Sequence, residues 1–209
     1  SQNRAVEFSM LLTVPAAVGA GVLSFDIIRV LFERGAFTRA DTEATSLALM
    51  IYAAGLPAFV LIKVFQPAYF AREDTKTPLR FAAISIVVNI AASLVLFQYF
   101  GFAGIAAGTT LAAWTNTGQL ATRLFRKGEF APDQQLARRL PLIVMASAGM
   151  GAALWFGAGA LAPFFENGLL VSIAALAALI AGGALVYFFL CEVTGASRLA
   201  DLRRAFGRR

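Results

Sequence analysis

Charged side chains fall along this chain in short clusters, separated by long stretches that carry none. The longest uncharged stretch covers 42 residues, Phe81 to Thr122, with a turn-like break at Gln98-Tyr99-Phe100-Gly101. As helix it would reach roughly 63 Å at about 1.5 Å per residue, two crossings of a hydrocarbon layer about 30 Å thick. Neither arm carries the polar face that a helix packed in water presents. The remaining uncharged windows predict the same kind of element. Spans are expected over residues 8–32, 44–70, 79–97, 102–124, 140–163 and 169–190. No segment alternates apolar and polar positions with period two, which excludes a transmembrane barrel. The pattern predicts an all-α, polytopic integral membrane protein with six transmembrane helices. Residues 1–130 would form a four-helix bundle and 131–192 a final helix pair. Residues 193–209 would form a basic amphipathic tail, with Leu199, Leu202 and Phe206 spaced by three and four among arginines.

Composition agrees, and the charge distribution adds an orientation. Hydrophobic residues make up 59% of the chain and charged residues 14%, outside the range of water-soluble domains. The net charge of +6 would suit nucleic acid, but the basic residues sit beside apolar spans, which favours anionic lipid headgroups. With six spans, both ends and the second and fourth loops share one side, and 14 of the 18 Lys and Arg residues lie there. Positive charge stays cytoplasmic, so both ends are expected in the cytoplasm. The chain opens on Ser-Gln-Asn-Arg without Met, as expected for the interior of a longer protein.

Candidate chemistry is sparse. There is no His, and Cys191 is the single cysteine, so a zinc site and an internal disulfide are not expected. No span supplies two carboxylates, which argues against an enzyme and any cofactor. Lys63 is the one basic residue well inside a span. It is a substrate contact by the usual reading of intramembrane charge, or a side chain snorkelling to the interface. Asn89 and Ser93 share one face of the third span and Thr109 lies on the fourth; they offer interhelical hydrogen bonds or oxygens for a cation. Gly104 and Gly108 form a GxxxG packing face. Pro15 and Pro57 should bend their spans and free carbonyls that need other donors, and Thr77-Pro78 predicts a helix start. Glu73-Asp74 reads as a capped, charge-balanced turn, and Asp26 with Arg29 as an ion pair.

The string GLPAFVLIKVFQPAYFAREDTKTPLR, Gly55 to Arg80, resembles the tenth helix, following loop and start of the eleventh helix in the MurJ/MviN family of lipid II flippases. EFSMLLTVPAAVGAGVL (Glu7 to Leu23) and LFERGAFTRADT (Leu31 to Thr42) are similar to its ninth helix and outer loop. The resemblance implies helices nine to fourteen of a fourteen-helix protein of the multidrug/oligosaccharidyl-lipid/polysaccharide exporter superfamily, in the bacterial inner membrane. It implies lipid II, an undecaprenyl-pyrophosphate-linked precursor, as partner, along with anionic lipids and an N-terminal lobe that lies outside this chain. Arg72, Lys76 and Arg80 would form a basic cytoplasmic rim, and Lys63 would face the cavity. Trp155, Phe156 and Phe188 would line a groove for the lipid tail, or simply face lipid. Some members are described as holding sodium through an Asn and an Asp on the eleventh helix and a Thr on the twelfth. Asn89 and Thr109 match, but the aspartate position is Ser93, which removes a charged ligand. A related exporter of another polyprenyl-linked glycan or of drugs, and a non-transporting scaffold for cell-wall enzymes, stand as alternatives.

Overall fold

The computed structural model describes residues 2–195, so the expected tail lies outside the described residues beyond its first three positions. The described residues form seven α-helices: α1 (Gln2–Val22), α2 (Ser24–Phe32), α3 (Arg39–Phe70), α4 (Lys76–Phe100), α5 (Phe102–Arg126), α6 (Gln134–Leu161) and α7 (Leu169–Thr194). A 3-10 turn, Ala162–Glu166, joins α6 to α7.

Among the described residues, five helices are long and apolar enough to cross a membrane: α1, α3, α4, α6 with its following turn, and α7. The fourth expected span is a helix of 25 residues, yet it falls short of this measure. Thr109, Thr110, Thr115, Asn116, Thr117 and Gln119 dilute its apolar character. The expected first span is two helices rather than one. Leu23 leaves helical geometry at φ −91°, ψ 10°, just after Gly19 and Gly21, which hold a helix weakly. The break is slight, because the Leu23 amide still reaches the Gly19 carbonyl at 2.9 Å and the Ile27 amide reaches Leu23 at 2.8 Å.

Local signals explain several ends. The Thr38 side chain accepts from the Asp41 amide while Asp41 accepts from the Thr38 amide, a capping box that starts α3. Asp133 caps α6 by accepting from the Leu136 amide at 2.7 Å. The helix start expected at Thr77 is displaced: α4 begins at Lys76, and Thr77 donates its amide and hydroxyl to Asp74 at 3.0 and 2.8 Å. The break expected over four residues shrinks to Gly101, whose φ of +56° lets α4 and α5 meet in one residue. Arg29, expected to pair with Asp26, acts on it electrostatically and also lies 3.9 Å from Glu33.

The helices pack in a row: α4 on α5, α5 on α3, α3 on α1, α1 on α6 and α6 on α7, with α2 against α3 and α7. Side-chain pairings give the directions. Ile51, Ala54 and Ala58 of α3 meet Thr110, Trp114 and Thr117 of α5 in ascending order, so these helices run parallel. Gly104 and Gly108 of α5 lie against Leu96 and Ser93 of α4, so that pair is antiparallel. Two apolar cores result. One gathers Leu11, Leu23, Ile143, Met150, Leu154 and Leu179 between α1, α6 and α7; the other gathers Met10, Phe65, Tyr69, Leu120 and Leu124 between α1, α3 and α5. Helix α1 belongs to both.

Candidate functional site

Helices α1 and α7 both pack on α6 but barely on each other, and the gap between them is a pocket of about 360 Å³. Small residues make the room: Ala16, Gly19 and Ala20 on α1 and Gly183 and Ala184 on α7. Met150 and Leu154 of α6, Leu23, and Ile27 of α2 complete an almost wholly apolar lining. A Cβ at Gly183 would stand 2.7 Å from Leu154 Cδ2, so the Leu154 side chain of α6 rests directly on this glycine of α7. Space of this size, at the low end of ligand pockets, suits a segment of hydrocarbon chain and offers nothing to hold a charge.

Pro15 lines the pocket and shapes it. It cannot donate a backbone hydrogen bond to Leu11, so that carbonyl loses its helical partner. Tyr187 of α7 replaces it, donating its hydroxyl to the Leu11 carbonyl at 2.7 Å. Both residues are buried, at 2% and 4% exposure, out of reach of any solvent that could stand in. In α3 Pro57 frees the Ala53 carbonyl, and the Trp114 indole N–H donates to the adjoining Ala54 carbonyl at 3.0 Å.

The groove candidates divide. Phe188 lines the pocket, whereas Trp155 and Phe156 point away from it and are 70% and 75% exposed. Tyr187 is the residue that sequence reasoning missed. Its signal was available: a lone hydroxyl in the apolar run Leu185–Cys191, and a proline-freed carbonyl in need of a donor.

The three polar residues of α4 and α5 do come together. Ser93 donates to Asn89 Oδ1 at 3.0 Å. The Thr109 hydroxyl stands 3.5 Å from the same oxygen but directs its proton to the Ile105 carbonyl at 3.0 Å. Ser93 and Asn89 are hydrogen-bonded to each other, and none of the three supplies a carboxylate, so they do not fit a hard cation. The polarity of α5 has another use. Thr110, Trp114 and Thr117 donate to α3 carbonyls at 3.0, 3.0 and 2.9 Å, and Tyr69 returns a bond to the Leu120 carbonyl at 2.7 Å.

Lys63 is exposed, on the flank of α3 away from these bonds. Lys76 and Arg80 are also exposed, in the first turns of α4. Arg72 is more constrained: it donates to the Ala68 carbonyl at 2.9 Å and pairs with Glu129 at 3.4 Å. Lys127 lies 4.0 Å from Asp74, so two salt bridges join the α3–α4 and α5–α6 loops. The Thr77 hydrogen bonds, then Lys127 and Arg123, hold the Asp74 carboxyl below its ordinary range. Nearby, Arg139 pairs with Glu7, and Asn3 donates to the Ala131 carbonyl at 2.9 Å, fixing the start of α6 on α1.

A family profile described as MurJ, lipid II flippase MurJ, matches residues 1–176, which include α1 to α6 and the start of α7. The chain belongs to the lipid II flippase MurJ family. It is 41% identical over 210 residues to a probable lipid II flippase MurJ of Rhizobium tropici, covering 100% of this chain and 39% of the relative. A probable lipid II flippase MurJ of Rhizobium meliloti (strain 1021) is 42% identical over 209 residues, covering 99% and 39%. Among solved structures, a lipid II flippase MurJ in an inward closed conformation superposes with a TM-score of 0.71 at 26% identity, covering 99% of this chain and 39% of that one. The chain therefore spans about two fifths of the length of its MurJ relatives. As a family member it is part of a multi-pass membrane protein; the α1 and α6 walls of the pocket lie within the profile match, and its α7 wall, residues 180–188, lies beyond it.

Proposed function

We propose that this chain is the C-terminal part of a lipid II flippase, which moves an undecaprenyl-pyrophosphoryl precursor from the cytoplasmic to the periplasmic leaflet of the bacterial inner membrane. Transport proceeds by alternating access: this half rocks against an N-terminal lobe while the tail stays in the apolar layer. Six helices cross, α5 being the fourth. It runs parallel to α3 and antiparallel to α4, so a bilayer that admits those two admits α5 between them, its hydroxyls spent on α3 carbonyls. At about 1.5 Å per residue its length reaches roughly 37 Å, enough for the hydrocarbon layer. Both ends face the cytoplasm, Lys76 and Arg80 attract anionic headgroups there, and Lys63 faces the cavity.

The observation that carries this reading is the apolar pocket between α1, α6 and α7, whose α1 and α6 walls lie within the family match. It receives part of the polyprenyl tail, with Phe188 against the chain. The division into a four-helix bundle and a final pair follows the same logic: α6 docks on α1, α7 docks on α6, and together they close the pocket. The test has two arms. The full-length protein should restore growth to cells depleted of their own flippase. A photoreactive undecaprenyl phosphate should also label α1 or α7 in a way that phospholipid does not suppress. A well-expressed protein that neither supports growth nor takes the label contradicts the proposal.

A further inference from the structure

The Tyr187–Leu11 hydrogen bond sits at the end of the pocket where two walls that otherwise diverge are joined. One wall is α1 at Pro15; the other is α7. We propose that Tyr187 is a positioning residue for the tail pocket: its hydroxyl pins the carbonyl freed by Pro15, fixes the bend of α1, and so sets the width of the space that receives the chain. This deepens the tail-pocket reading and rests on it. The need for a pin follows from burial. A carbonyl without a partner in an apolar interior drives local rearrangement until it finds a donor; Leu11 is 4% exposed, and Pro15 removes its usual helical donor. The bond also solves the matching problem for Tyr187, a hydroxyl within an apolar helix. Pocket shape and helix bend are therefore one variable: a chain that enters meets walls already held apart, and loss of the pin lets α1 move into the space.

The test uses the full-length protein in detergent micelles, with Tyr187→Phe, Pro15→Ala and the double variant. Amide hydrogen exchange over residues 8–22 reports the bend, and a fluorescent undecaprenyl phosphate reports the pocket. Tyr187→Phe should speed exchange around Leu11 about tenfold, as expected for one buried carbonyl left unpaired, and weaken the probe by a similar factor. Pro15→Ala returns a backbone donor to Leu11. Adding Tyr187→Phe to it should then change either readout by no more than about twofold. Equal losses in both backgrounds would mean that Tyr187 acts by direct contact or packing, and would overturn the proposal. So would unchanged α1 exchange in Tyr187→Phe. If the unaltered protein ignores the probe, the tail reading fails, while the exchange cycle still decides whether the bend is pinned.

Discussion

Gly108 and Gly118 lie on the same helix and face opposite circumstances, which makes them a controlled pair. A Cβ at Gly108 would stand 2.7 Å from the Ser93 amide nitrogen and 3.0 Å from the Ser93 Cα, whereas a Cβ at Gly118 meets nothing within 4 Å. Backbone cannot swing aside, so Gly108→Ala forces α4 back by roughly 0.7 Å to reach ordinary contact. A gap of that order forfeits about a quarter to a half of each contact's attraction along the seam, and overpacking of this kind costs about 1–3 kcal/mol. Both substitutions gain the same helix propensity, up to about 1 kcal/mol. Their difference cancels that gain and isolates the packing cost. Equilibrium unfolding of the full-length protein in mixed micelles should place Gly108→Ala about 1–3 kcal/mol below Gly118→Ala. Removing the Ser93 hydroxyl should not rescue it, because the amide nitrogen is itself too close. Equal stabilities of the two variants would refute the claim that α4 and α5 meet backbone to backbone at Gly108.

Three further outcomes follow from single residues. Glu73 adopts φ +59° without being glycine, so Glu73→Gly should stabilise the α3–α4 turn by up to about 1 kcal/mol in the same unfolding assay. Glu7→Gln leaves half-buried Arg139 without its carboxylate and should cost about 1–3 kcal/mol, with Gln135→Ala nearer neutral. Asp74 titrates below its ordinary value when folded, so its contribution to stability is complete above the unfolded carboxylate range and fades as pH falls through the folded value. Stability of Asp74→Asn against pH should lack that acid-side decline, and an unchanged decline would contradict the Thr77–Asp74 contact.

The helical elements were legible because a bilayer imposes length and apolarity on each pass, and charge-free windows report both. The GxxxG face was legible for a similar reason: paired glycines one turn apart admit a neighbouring backbone, and that of α4 comes against both Gly104 and Gly108. The split at Leu23 was hidden, since every flanking residue is apolar or small and the break costs the ladder almost nothing. The polar residues of α5 were harder, because whether a threonine faces a cation, a carbonyl or lipid depends on the neighbouring helix. The pocket lay further still from the sequence. Trp155, Phe156 and Phe188 are alike in composition, and only the packing of α1, α6 and α7 leaves the first two well exposed and sets Phe188, itself 40% exposed, on the pocket wall. The pin at Tyr187 lay between these cases: Pro15 announced an unpaired carbonyl, but the donor came from 176 positions away.

The central claim is that α5 crosses the membrane with its neighbours, giving six passes and one cytoplasmic set of loops. Cysteine labelling in intact cells with an impermeant thiol reagent tests it directly, using Tyr99→Cys and Lys127→Cys in a full-length Cys191→Ala background. Tyr99, 76% exposed before the α4–α5 turn, should label from outside, and position 127 beyond α5 only after the membrane is opened. Labelling of both positions from the same side would remove the crossing, and with it the topology on which the flippase assignment of this half depends.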